Sequence, residues 1–213
     1  MRENLTKKLE EDIIFGVLLP GSRLTEERII EEYSTKRHAV RTSFAELKTL
    51  GLLTHKPNHG VEVISFTPDQ VQEIYEIRLI LEASAAKKTR LPVINSISNK
   101  LFDIATAHKN AYDEGRFREV FNLNKEFHTV QFSCCTNKRL IKLVSEYARI
   151  VHPIRVMQYG NRTHMDLVIN QHFEIVNSMK GNCLDRYMQA TTDHLPASAV
   201  IAFRKNYENL RSR

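Results

Sequence analysis

The order of the elements predicted over residues 5–64 constrains this chain more than any other feature. Apolar residues recur at helical spacing along three successive segments, and turn signals such as Pro20-Gly21 and Gly51 end them. Thr25 is a residue type that caps helices, and two glutamates follow it at the helix N-terminus. The predicted elements are helices at 5–15, 25–33 and 36–50 and strands at 52–55 and 61–64. Three helices followed by a β-hairpin predict a winged helix-turn-helix.

The third predicted helix has two different faces. Val40, Phe44 and Leu47 form an apolar stripe that we expect to be buried. Arg37 and Arg41 lie one turn apart on another face near the helix N-terminus, where guanidinium groups can reach guanine edges or phosphates. A merely solvated helix face would carry the same residues. The arginines therefore indicate DNA binding only together with the turn before them and the hairpin after them.

The local distribution of charge favours a nucleic-acid partner, although the net charge of +6 does not by itself. Residues 1–66 contain ten basic and ten acidic side chains and sum to zero. Residues 35–60 contain five basic side chains and three histidines against Glu46 alone. We expect this basic patch to dock on phosphate while the acidic helices face away from it. Gly60 should let the hairpin tip approach the duplex closely.

The first third of the chain resembles the DNA-binding domain of the GntR family of bacterial transcription regulators. The matching residues are Pro20, Gly21, Leu24, Glu27, Arg28, Arg37, Val40, Arg41, Leu47, Gly51, Leu52 and Gly60. Lys36 stands where the family has Ser or Thr, and Ala39 where it has Pro. The resemblance implies operator contacts from the arginines and a wing-tip glycine at the minor groove. With the basic patch included, the expected DNA-binding residues are Arg28, Lys36, Arg37, His38, Arg41, His59 and Gly60.

A winged helix-turn-helix at 1–66 and a second domain at 67–213 are expected, with a capping sequence at Thr67 as the start of the second. The predicted helices of the second domain are at 68–89, 94–113, 117–136, 138–158, 163–179 and 183–207. Pro153 and Pro196 should kink two of them. The fold class is therefore mainly α, with an N-terminal winged helix-turn-helix and a C-terminal all-α bundle of six helices.

Asn124 and His128 place a polar pair on an apolar helix face of the second domain. They are four residues apart, and their neighbours on that face are Phe117, Phe121 and Phe132, so we expect the face to point inward. Buried polar groups need partners, because unpaired burial is costly. The pair therefore marks a candidate site inside the bundle.

Two later histidines, His172 and His194, occupy similar settings on other helices. Together with Asn124 and His128 they can converge on one metal ion. Each of these histidines could equally be a hydrogen-bonded core residue. That interpretation is kept for the other histidines of the domain, which are His108, His152 and His164.

The second domain resembles the FCD ligand-binding domain that accompanies one branch of the GntR family. The residues at the positions of the family motifs are Asn124, His128, His172, Ile175, Asp185, Ala190, His194 and Leu195. The resemblance implies a divalent metal ion, with Zn, Ni and Mn as candidates, and an effector pocket near Arg78. Asn124 replaces the aspartate of the family, so four neutral ligands would leave the ion its full +2 charge. Such a centre, with Arg78 nearby, should attract a small organic acid.

The expected function is a ligand-responsive DNA-binding transcription regulator that senses a small carboxylate. One recognition helix covers few bases, so we expect a homodimer on a palindromic operator in double-stranded DNA. The cytoplasm is the expected compartment, because the N-terminus lacks a signal peptide and no apolar run could span a membrane.

Other readings are a regulator with a metal-free histidine pocket, a metabolite-binding protein that does not touch DNA, and an all-α metalloenzyme. No histidine follows a glutamate by three positions and no His-Asp dipeptide occurs, so the ExxH, HExxH and His-Asp signatures of metalloenzymes are missing. We therefore expect no enzymatic activity. The three cysteines are odd in number and lack CxxC spacing, which is typical of reduced thiols.

Overall fold

A computed structural model describes residues 4–56, 60–195, 200–205 and 207. The chain divides into two compact units, Met1–Thr67 with Arg149–Met157 and Pro68–Ala148 with Gln158–Arg213. The predicted domain limits, 1–66 and 67–213, stay a prediction. Among the described residues no helix is long and apolar enough to cross a bilayer.

The first unit has the predicted order of helices and a hairpin. The elements of its N-terminal segment are α1 Leu5–Ile14, β1 Arg23–Leu24, α2 Glu26–Glu32, α3 Arg37–Thr49, β2 Leu53–Lys56 and β3 Gly60–Val63. The Thr25 hydroxyl accepts a hydrogen bond from the backbone N–H of Arg28, as a helix cap should. The strands form an antiparallel sheet in the order β1-β3-β2. Strand β1 was not predicted, because two residues are too few to show an alternating pattern.

The stripe predicted on α3 is buried in the core of this unit. Val40 and Leu47 are fully buried and pack with Leu9 and Ile13 of α1 and with Ile29 of α2. Burying such side chains stabilises the fold by about 1.5–3 kcal/mol each. Both faces of α3 are thereby fixed, since the apolar stripe is held inside and the arginine face must point outward.

The described part of the second sequence segment is helical, as predicted. Its helices are α4 Pro68–Lys87, α5 Asn95–Asp113, α6 Phe117–Ser133, α7 Lys138–Ile150, α8 His152–Val156, α9 Arg162–Lys180 and α10 Leu184–Asp193. Phe127, Ile175, Met179 and Tyr187 lie in the core shared by α5, α6, α9 and α10. The mainly α fold with a small winged sheet is confirmed.

The predicted count of six helices is wrong for the described residues. The segment predicted as one helix at 138–158 is two helices, α7 and α8, with the break at Val151 just before Pro153. Proline lacks a backbone N–H and favours the first turn of a helix, so a new helix begins where a kink was expected. The last predicted helix, 183–207, is interrupted after Asp193, and Pro196 lies outside the described residues.

Candidate functional site

The arginines of α3 are exposed, and each is paired with a glutamate of α2. The Nε of Arg41 donates to Oε1 of Glu26 at 2.8 Å, and Nη2 of Arg37 donates to Oε1 of Glu27 at 3.2 Å. The hydrogen bond from Arg41 holds the pKa of the Glu26 carboxyl below its usual value. The expectation that the acidic helices face away from the basic patch is therefore wrong for α2. Glutamates that suit the first turn of α2 also lie beside the N-terminal half of α3.

These ion pairs hold the arginines without burying them. The side chains of Arg37 and Arg41 are 56% and 63% exposed. Exposed ion pairs contribute little to stability and are screened by salt, so a phosphate can replace the glutamates. Arg28 is likewise paired with an acidic group of its own helix, Glu32, at 2.7 Å. The predicted DNA-reading arginines thus carry exchangeable acidic partners.

The remaining predicted DNA residues lie at the start of α3 and in the wing. Lys36 is the N-cap residue of α3 and makes no side-chain capping bond, in keeping with its replacement of Ser or Thr. His38 is exposed in the first turn of α3. Gly60 has a φ of +80°, a value that glycine adopts without strain. His59 lies outside the described residues.

Arg23 is a cation beside the wing that was not predicted to bind DNA. It is exposed on β1, opposite Glu62 of β3. Its Nε is 4.0 Å from the position that a Cβ at Gly60 would occupy. The signal that could have identified it was a basic residue between the Pro20-Gly21 turn and Leu24.

The structure brings together His128, His172 and His194, which come from α6, α9 and the C-terminal end of α10. Their ligand atoms all lie within 4.8 Å of one another. The Nε2 atoms of His128 and His194 are 3.1 Å apart. Two nitrogens bound tetrahedrally to one ion at about 2.0–2.1 Å would be roughly 3.3–3.4 Å apart, so this pair is already close to the spacing that an ion requires.

Asn124 is buried one turn before His128 on α6. Its side-chain nitrogen makes no hydrogen bond to the residues that the structure describes. Because the nitrogen and oxygen of an amide can be exchanged by a flip, this buried group can present its oxygen instead. A buried amide whose nitrogen has no partner among the described residues and three converging imidazoles together suit a divalent ion.

The other histidines and the phenylalanines named in the sequence prediction can also be located in the helical segment. His108, predicted to be a core histidine, is indeed buried, but its ring lies 4.9 Å from the ring of His172. Phe117, predicted to point inward, is 41% exposed, because it is the first residue of α6 and no earlier turn covers it. Phe121 and Phe132 are buried as predicted. His152 is buried on α8 and His164 is partly buried on α9.

Arg78, expected near an effector, has a buried acidic partner on its own helix. Its Nε and Nη2 donate to the same Oε1 of Glu82 at 3.1 and 2.8 Å. Its guanidinium carbon also lies 5.1 Å from the centre of the Tyr75 ring. The charge of Arg78 is therefore neutralised locally, a pairing that the Arg-x-x-x-Glu spacing could have revealed.

Comparison with known proteins identifies the domains. The family described as "Bacterial regulatory proteins, gntR family" matches residues 1–63, and the family described as "FCD domain" matches residues 73–197. The HTH-type transcriptional regulator YdhC of Bacillus subtilis is 24% identical over 177 residues, covering 81% of this chain and 78% of that protein. The HTH-type transcriptional repressor RspR of Escherichia coli K12 is 21% identical over 195 residues, covering 92% of this chain and 86% of that protein.

Solved structures share the fold. E. coli McbR/YncC has a TM-score of 0.79 at 17% identity, covering 95% of this chain and 96% of that one. A GntR transcriptional regulator from Rhodococcus sp. RHA1 has a TM-score of 0.74 at 18% identity, covering 93% of this chain and 96% of that one. These families and relatives are transcription regulators rather than enzymes. The chain belongs to the GntR family of bacterial transcription regulators, in the branch whose DNA-binding domain is followed by an FCD domain.

Proposed function

We propose that this regulator binds a two-fold operator as a homodimer and that a small organic acid, held with a divalent ion in the helical domain, changes its affinity for DNA. The observation that carries the sensing half is the convergence of His128, His172 and His194. A regulator of this kind works where the chromosome is, so the cytoplasm is its compartment.

The DNA half of the proposal rests on the exposed arginine face of α3. Arg37 and Arg41 exchange their α2 glutamates for guanine edges or phosphates when the helix enters the major groove. Arg37→Ala should weaken binding to a specific site by about 1–3 kcal/mol. Lys142→Ala, which removes an exposed cation of α7, is the control. Equal effects of the two substitutions on operator affinity in a gel-shift titration would reject α3 as the reading helix.

The dimer has support from exposed apolar residues. Ile77, Leu79 and Ile80 of α4 are exposed, and a second copy could cover them. Ile80→Glu should then produce monomers in light scattering and weaken operator binding. Dimers of unchanged stability in this variant would exclude α4 from the interface.

The sensing half depends on what the histidine cluster binds. A bound divalent ion supplies a positive centre with open positions that a carboxylate can occupy. His128, His172 and His194 would hold it as neutral imidazoles, so its binding should weaken in acid. The pairing of Arg78 with Glu82 leaves the ion as the main attraction for an anion.

Substitutions of the ligands test this assignment. Asn124→Asp should tighten metal binding, because it adds a carboxylate, and should weaken an anionic effector, because it lowers the charge of the site. His172→Ala should abolish both the binding of the metal and the binding of the effector. Elemental analysis and titration with organic acids found by thermal shift measure the two effects. If the purified protein takes up no metal and Asn124→Asp only lowers the melting temperature, the metal site is refuted.

A metal-free histidine pocket is the second candidate. The observation that favours it is the 3.1 Å separation of His128 Nε2 and His194 Nε2, which also suits a direct hydrogen bond. In that case the histidines would contact the acid themselves, and a chelator would leave acid binding unchanged.

The two halves are coupled through the equilibrium between conformations of the regulator. An effector can change DNA affinity only by binding one conformation better than another, and DNA must then change effector affinity by the same factor. We propose that the effector alters the spacing or mobility of the two DNA-binding domains. An acid that binds tightly and leaves operator affinity unaltered would contradict this.

A further inference from the structure

Gln131 lies one turn after His128 on α6 and is fully buried. Its Oε1 is 3.0 Å from Nδ1 of His128. Its Nε2 donates to the Thr191 hydroxyl at 3.3 Å and to the Tyr187 hydroxyl at 3.5 Å. One amide therefore links an imidazole of the cluster to two hydroxyl groups of α10.

The NH₂ end of this amide points toward α10, where two hydroxyl oxygens accept from it. Thr191 and Tyr187 are both buried, and burial raises the pKa of Tyr187 to about 12, so its hydroxyl is neutral at ordinary pH. Both oxygens have lone pairs that accept from the amide NH₂. With the NH₂ end turned toward α10, the carbonyl end faces His128.

We propose that Gln131 is a positioning residue that keeps the proton of neutral His128 on Nδ1 and leaves the lone pair on Nε2. A carbonyl oxygen can only accept, so the Nδ1 that faces it must donate. The other nitrogen, Nε2, is the atom that faces Nε2 of His194. The inference deepens the metal assignment and rests on it for the ligand role of Nε2, whereas the position of the proton does not depend on a metal.

Helix α10 carries both the hydroxyl groups that hold Gln131 and one of the proposed metal ligands. Tyr187, Thr191 and His194 follow one another at spacings of four and three residues, which is one face of α10. Removing a group that fixes the orientation of a ligand imidazole typically lowers the affinity for the metal 10–100-fold. Gln131 thus ties the orientation of His128 to the helix that ends in His194.

The test is nitrogen NMR of ¹⁵N-histidine-labelled full-length protein at pH 8 without metal, followed by calorimetric titration with Zn²⁺. The wild type should show His128 protonated at Nδ1 and bare at Nε2. Gln131→Leu should give mixed tautomers and a 10–100-fold weaker affinity for Zn²⁺. Gln131→Glu keeps an acceptor and should retain the tautomer and bind Zn²⁺ at least as well as the wild type. Gln189→Leu, the same change on the exposed face of α10, is the control and should alter neither.

The outcomes separate the two proposals. A wild-type His128 that carries its proton on Nε2 overturns the inference, as does Gln131→Leu with unchanged tautomer and Zn²⁺ affinity. If Gln131→Leu does not fold, the wild-type spectrum and Gln131→Glu still decide, because loss of the Nδ1 proton in the latter also overturns it. Absence of Zn²⁺ binding by the wild type refutes the metal assignment alone, and the NMR result stands separately.

Discussion

The buried pair Arg78 and Glu82 gives a quantitative test of how charge is handled in the helical domain. The two residues are 4% and 2% exposed, and two guanidinium nitrogens share one carboxylate oxygen. Arg78→Met keeps most of the side-chain volume but leaves Glu82 buried without its cation. Arg78→Met combined with Glu82→Leu removes both charges.

The expected magnitudes differ between the single and the double substitution. Removing one partner of a buried pair costs about 3–5 kcal/mol, because an uncompensated charge remains out of water. Replacing both partners by apolar side chains is about neutral or stabilising by up to roughly 4 kcal/mol. For a chain of this length each kcal/mol shifts the melting temperature by about 2–4 °C, so the single variant should melt roughly 6–20 °C lower.

A matched control exists on the surface of the same domain. Arg186 donates from its Nε and Nη2 to one oxygen of Glu174 at 3.0 and 2.7 Å, with side chains 58% and 47% exposed. Arg186→Met should cost no more than about 1 kcal/mol, because solvent screens that pair. Chemical denaturation of the full chain measures all three variants.

Two results would refute this reasoning. One is a cost for Arg78→Met no larger than that for Arg186→Met, and the other is a double variant no more stable than the single one. A stable double variant also allows a test of whether Arg78 contacts the effector. If Arg78 contacts the effector, this variant should fold normally and still lose its response to the organic acid.

Two further predictions concern titration and DNA affinity. Burial raises the pKa of Tyr187 to about 12, so its stabilising effect should be complete below about pH 10 and lost as the pH rises to 12. In the wild type the free energy of unfolding should therefore fall by up to about 2–3 kcal/mol across that range, and in Tyr187→Phe this part of the fall should be absent. An unchanged pH dependence in the variant would contradict this. Glu26→Gln, which releases Arg41 and leaves Arg37 with Glu27 as its acidic partner, should tighten DNA binding about two- to fivefold at low salt. Glu31→Gln, on the same helix, should not, and equal effects would show that only net charge matters.

Features that depend on residues close together in the chain could be predicted from sequence. The Thr25 cap and the Val40 stripe of α3 depend on side chains within one or two turns. The same is true of Gly51, whose φ of +74° ends that helix. The shared face of Asn124 and His128 likewise follows from a four-residue spacing. Local rules of this kind do not need knowledge of the tertiary fold.

Features that depend on distant residues could not be predicted. Strand β1 exists only because Arg23 and Leu24 pair with β3, which lies nearly forty residues further along the chain. The closeness of His108 and His172 depends on how α5 packs on α9, and no spacing encodes that contact. Gln131 went unnoticed because its partner hydroxyls, at Thr191 among others, belong to another helix.

Counting charged residues is a poor guide to which of them can bind a ligand, since a sequence gives the number of charges but not their partners. Arg37 and Arg78 are both arginines expected at a binding surface, yet each has a glutamate within 3.2 Å. Solvent screens the first pair, so DNA phosphates can compete for Arg37 at little cost. The second pair is buried, so any ligand that took Arg78 would leave Glu82 uncompensated at a cost of about 3–5 kcal/mol. An anionic effector of the proposed kind would therefore gain more from a divalent ion held by neutral ligands than from Arg78, which makes the histidine cluster the stronger candidate for recognising it.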